Sequence, residues 1–202
     1  MLSFTKTIMA GLAALMLLVL AGCGDSPPRT YAVKAYSGGN VIASFDASSY
    51  SGGDARIYAY LSNGRQNTVG GTFSVRRTDP GNTTNTGRAT KYNAELYSGG
   101  KVVETVNAAS YSGSDGKVSM TVSQSSENVV FGGTYVLRNI GANLEGKSDA
   151  SKYKVTAYSD GVVIGTWYAD SFSTGNGRII LKVNGIESAL IIGGSYFIEQ
   201  FR

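Results

Sequence analysis

The chain repeats itself three times, and no other feature narrows its fold as much. Copy one begins YAVKAYSGGNVIASFDASSYSGGDARI at Tyr31, copy two YNAELYSGGKVVETVNAASYSGSDGKV at Tyr92 and copy three YKVTAYSDGVVIGTWYADSFSTGNGRI at Tyr153, 61 residues apart each time. All three close alike, with GGTFSV from Gly70, GGTYVL from Gly132 and GGSYFI from Gly193. A fixed period of this kind marks one supersecondary unit used repeatedly, so the sequence is best read unit by unit.

Within a unit the apolar residues alternate, which is the mark of a strand with one buried face. The first strand shows Tyr31, Val33 and Ala35, with Tyr92, Ala94 and Leu96, then Tyr153, Val155 and Ala157, in the other copies. A second strand follows in Val41, Phe45 and Ala47, a third in Ile57, Ala59 and Leu61, and a fourth in Phe73 and Val75, each with counterparts downstream. Glycine turns at Ser37-Gly38-Gly39 and around Ser51-Gly52-Gly53-Asp54 suit a hairpin meander. The 27 glycines, 13 tyrosines and only 3 prolines fit short strands joined by tight turns. The expected fold is all-β: three tandem small antiparallel modules of about four strands each. A unit this small, without disulfide or metal, is marginal alone, which favours contact between copies. The alternative is one closed, pseudo-three-fold body like a β-trefoil; the long polar connectors TDPGNTTNTGRATK and GANLEGKSDASK argue for tandem modules instead.

The first residues, MLSFTKTIMAGLAALMLLVLAGC, carry a single lysine, Lys6, and then an uncharged apolar run from Ile8 to Ala21. The run is short for a membrane span and has the length of a signal-peptide core. Its end, Leu20-Ala21-Gly22-Cys23, resembles the lipobox of bacterial lipoproteins. The resemblance implies that the Cys23 thiol carries a diacylglycerol, that the preceding peptide is removed, and that the partner is a membrane reached through this lipid. Cys23 is the only cysteine, so no intramolecular disulfide competes for it. In enteric lipoproteins an aspartate directly after the cysteine retains the protein in the inner membrane; Gly24 stands there, which implies the outer membrane. The expected organisation is signal peptide 1–22, lipidated tether 23–30, repeat 31–77, linker 78–91, repeat 92–140, linker 141–152 and repeat 153–202.

Several function classes are disfavoured by what is missing. There is no histidine, which removes Ser-His-Asp and Cys-His nucleophile activation and His-ligated metals. The net charge of +4 is spread thinly and forms no basic stripe for nucleic acid. Carboxylates do not recur: the slot of Asp46 holds Asn107 and Tyr168, and that of Asp170 holds Ser48 and Ala109. Asp54, Asp115 and Asn176 do recur, in a turn where their side chains cap the backbone. No catalytic residue, metal or cofactor is expected, and oligomeric state is left open.

Two sets of repeated residues are candidates for binding. Tyr36, Tyr97 and Tyr158 alternate onto the polar face just before the glycine turn. There they serve either as strand-end packing or as rings that stack on a glycan or anchor a protein. Arg56, Lys117 and Arg178 open the third strand on the polar face, either as solvated edge charges or as cations for anionic glycan, phosphate or lipid headgroups. The slot of Tyr50, Tyr111 and Phe172 is explained by packing, since Phe172 dispenses with the hydroxyl. The leading expectation is a non-enzymatic, lipid-anchored envelope protein whose three modules bind an envelope glycan or protein, with avidity from flexible linkers. The YSGG opening and GG-[TS]-[FY] ending are also similar to small β units of phage- and mobile-element-encoded proteins, which implies receptor occlusion as an alternative. An enzyme acting on cell wall or polysaccharide is the third reading, and it lacks a visible acid pair.

Overall fold

The computed structural model describes residues 29–53, 55–78, 87–114 and 116–201. Cys23 and the whole of the signal-like segment lie outside the described residues, as do Asp54, Asp115 and most of the first connector. The described chain is all-β. Copy one forms β1 (Tyr31–Ser37), β2 (Asn40–Ala47), β3 (Ser49–Ser51), β4 (Arg56–Tyr60), β5 (Gln66–Gly70) and β6 (Thr72–Arg77). Copy two forms β7 (Tyr92–Ser98), β8 (Lys101–Ser114), β9 (Lys117–Val122), β10 (Asn128–Gly132) and β11 (Thr134–Asn139). Copy three forms β12 (Tyr153–Ser159), β13 (Val162–Ala169), β14 (Ser171–Gly175), β15 (Arg178–Val183), β16 (Ile186–Gly193) and β17 (Ser195–Gln200).

Each copy is made of two antiparallel triplets. The first strand lies between the second and the last, as in β2-β1-β6, with Tyr31 opposite Ala47, Tyr92 opposite Ala108 and Tyr153 opposite Ala169. The other triplet, β3-β4-β5 in copy one, folds over it. In copy two, β8 is long enough to serve both triplets and shifts register on β9 between Ala108 and Ser110. The hairpin turn after the first strand has both central residues at positive φ, Gly38 at +56° and Gly39 at +84°, as a tight two-residue hairpin requires. The alternating residues converge on one core per copy: Val33, Ala35, Ile57, Ala59, Phe73 and Val75 in copy one, for example, are all buried. Tyr31 meets Tyr50 edge-on at 5.1 Å, Tyr92 meets Tyr111 at 5.1 Å and Tyr153 meets Phe172 at 4.9 Å, which is the packing expected of that slot.

Two features differ from the sequence-based expectation. Each copy has more than four strands, because β5, β10 and β16 precede the double glycine. The runs Val129-Val130-Phe131 and Ala189-Leu190-Ile191-Ile192 do not alternate; they are buried on both faces, as in a central strand. The copies, expected to touch, also do so more closely than tandem modules need: they share one sheet. β6 pairs with β10 of the next copy, and β11 pairs with β16, giving one eleven-stranded sheet in the order β14-β15-β16-β11-β7-β8-β9-β10-β6-β1-β2. Among the described residues no strand of copy three pairs with one of copy one, so the array is open rather than closed three-fold. The second connector is packed: Ala142 and Leu144 rest on the core of copy three, and Asn184 donates to the Asn143 carbonyl at 3.0 Å.

Candidate functional site

The repeated residues gather at the joints between copies. The face of the first strand opposite its own core is the face the next copy covers. Tyr36, on β1, is 7% exposed and packs among Leu96, Val106, Val129 and Phe131 of copy two. Tyr97, on β7, is 6% exposed and packs among Ala157, Trp167, Leu190 and Ile192 of copy three. Alternation therefore places these rings on the second face correctly, but the turn end of that face meets the next copy rather than water. The correction has a simple cause: the next copy covers this face at its turn end, where Tyr36 and Tyr97 stand, while Lys34 further back on it stays exposed. Tyr158, on β12, enters no other copy among the described residues and stays half-buried.

In return, the following copy sends an aliphatic side chain back. Val130 of β10 completes the core of copy one, and Ile191 of β16 completes that of copy two. Two glycines let the strands close up. A Cβ at Gly132 would lie 2.3 Å from the Phe73 ring, and one at Gly193 would lie 2.3 Å from Tyr135, so each ring rests against bare backbone of the next copy. The second glycine of each pair, Gly71, Gly133 or Gly194, has φ of +77°, +91° or +95° and turns the chain from one triplet to the other.

Polar groups line the joints as well. The Tyr36 hydroxyl donates to Glu104 at 3.0 Å, and Arg76 bridges Glu104 at 3.2 Å and Glu127 at 2.9 Å. At the second joint Tyr97 donates to Glu95 at 2.5 Å, Arg138 pairs with the same carboxylate, and its guanidinium lies 5.8 Å over the Trp167 ring. Burial, reinforced by the neighbouring glutamates, pushes both tyrosine hydroxyls above the ordinary phenol pKa. Sequence reasoning passed over Arg76 and Arg138, although they share a slot in the last strand; Glu199 occupies that slot in copy three.

The repeated cations reach the other way. Lys117 donates to the Gly52 carbonyl of copy one. Arg178 packs over Gly113 of copy two, with Nε and Nη1 buried and its guanidinium set against the Tyr135 hydroxyl. Burial pushes the Tyr135 hydroxyl up to about 12, against the lowering influence of the Arg178 charge and of its hydrogen-bonding contact with the hydroxyl. Arg56 touches no other copy among the described residues and is exposed. The six candidates thus form two sets of joint residues plus one unused member at each end, Arg56 and Tyr158.

The rest of the surface is shallow. An open groove of about 360 Å³ runs beside Arg76, Thr105, Asn107 and Gln124. Another, of about 440 Å³, lies along β2 and β5 of copy one. Among the described residues no three His, Cys, Asp or Glu side chains come together. The fold defines an all-β protein of antiparallel sheets whose copies are joined edge to edge. No family model, curated protein or solved structure matches the chain.

Proposed function

We propose that the chain is a non-enzymatic, lipid-anchored protein of the bacterial cell envelope, with the stacked β body acting as an interaction surface. The observation that carries this reading is the apolar run ending in Leu20-Ala21-Gly22-Cys23, followed by a short tether and then β1. The body adds a refinement. Its copies share hydrogen-bonded strands, so it meets a glycan or protein partner as one stiff, extended surface rather than as beads on flexible linkers. Avidity between independently moving modules is accordingly not part of the proposal.

The test is intact mass and membrane fractionation of the expressed chain beside Cys23→Ala, with protease added to whole cells. Acylation adds a lipid-sized mass and membrane retention, and both vanish in Cys23→Ala. Shaving by protease assigns the body to the cell surface, whereas protection assigns it to the periplasm. A soluble wild-type chain without lipid adduct overturns the reading.

A further inference from the structure

Among the described residues, the joint used twice inside the chain leaves one of its halves open in copy one and the other in copy three. β6 and β11 each have a strand of the next copy on their outer edge, whereas β17 pairs with β12 alone. β10 and β16 each pair with the preceding copy, whereas β5 pairs with β4 alone. The tail is conspicuously unfinished. Phe197 is 60% exposed, while Ser74 and Val136, which hold its slot in the earlier copies, are 2% and 0% exposed. At the head, the groove of about 440 Å³ is bounded by Ala35, Ile42, Phe45, Asn67, Val69 and Gly70. Their counterparts in copies two and three enclose Tyr36 and Tyr97. Among the described residues no tyrosine enters this head groove.

We propose that β17 of one molecule pairs antiparallel with β5 of a second copy of this chain, with Tyr158 of the first entering the head groove of the second. The internal joints set the register: Phe73 opposite Gly132 and Tyr135 opposite Gly193 translate to Tyr196 opposite Gly70, and hence Glu199 opposite Asn67. Gly70 is a bare backbone site ready to receive a ring, because a Cβ there would meet nothing nearer than the Arg56 Cβ at 3.9 Å. Such a contact is heterologous: head meets tail and the pairing propagates. It is weaker than the internal joints, because Asn67 and Thr68 stand where Val129-Val130 and Leu190-Ile191 stand in the other copies. Association is therefore set by concentration, and confinement of the chain to a membrane would promote it. The contact itself does not depend on acylation of Cys23.

The experiment is cross-linking of the full chain in cells with a short bis-maleimide, using Asn67→Cys/Glu199→Cys. Wild type, whose one cysteine is Cys23, and the two single variants set the background. The double variant is expected to give a ladder of dimers and higher adducts. Adding Gly70→Leu, which fits the monomer but collides with an incoming Tyr196, removes the ladder while unfolding temperature is unchanged. Adding Thr68→Ile, which restores the apolar side chain of the internal joints, raises the adduct fraction about fivefold. A double variant with no adducts above background, or a ladder indifferent to Gly70→Leu, overturns the proposal.

Discussion

At Gly132 an added Cβ would sit 2.3 Å from the Phe73 ring, and at Gly193 the same distance from Tyr135, whereas Gly70 has open space. All three begin the same motif, so identical letters answer to different neighbours. Gly132→Val is expected to cost about 2–3 kcal/mol, because the ring of the preceding copy must move off its place in the core. Gly70→Val should stay within about 0.5 kcal/mol. Denaturant unfolding of the two variants side by side decides it, and equal losses would show that the glycine serves conformation alone. Tyr135 supplies a second contrast. Its slot in copy one holds Phe73, so a ring fits that slot without a hydroxyl, whereas the Tyr135 hydroxyl meets Arg178. Its pKa is raised from 10.0 to about 12, mainly by burial. The unfolded chain therefore ionises first as pH rises, and the stability held below pH 10 falls away between about pH 10 and 12, by about 2–3 kcal/mol. Tyr135→Phe gives up the contact with Arg178, so it should cost about 1 kcal/mol at pH 7 and should flatten that alkaline loss; a variant with the wild-type alkaline slope would assign the loss to other tyrosines.

Among the elements, those with strict alternation were legible. Val33 and Ala35, Ile57 and Ala59, and Phe73 and Val75 each share a face, and each is buried in the core of copy one. The tight hairpin after β1 was legible too, from Ser-Gly-Gly. The strands before the double glycine were not, for opposite reasons in different copies. In β5 the letters are Gln-Asn-Thr-Val-Gly, too polar to read as a strand; backbone bonds to β4 hold it. In β10 and β16 the apolar runs are continuous because one set of side chains fills its own copy while the intervening residue, Val130 or Ile191, fills the copy before. A period-two reading registers that as loss of pattern, although a glycine-bounded apolar run is also how a strand buried on both faces looks. The tyrosines fall between these cases. Alternation assigned Tyr36 and Tyr97 to the second face, but whether that face meets water or another copy depends on pairing between distant strands, which no local pattern encodes.

Across the whole molecule, each copy borrows part of its core from a neighbour, so stability should spread along the array from one copy to the next. Copy one is the clearest debtor. Its own buried residues are mostly alanine and valine, with Ile57 and Phe73 the larger ones, and Val130 of copy two closes the cluster. Val130→Ala removes two methyl-sized groups from that site, a loss of about 2 kcal/mol once the residual cavity is counted. The substitution lies in copy two, yet the weakened packing lies in copy one. Amide exchange in β1, β4 and β6 should therefore quicken about tenfold or more, while β12 and β15, at the far end, keep their wild-type protection. Independent copies would give the opposite pattern, with exchange raised in β9 and β10 and copy one untouched, and that result would remove the stacked architecture as the source of stability.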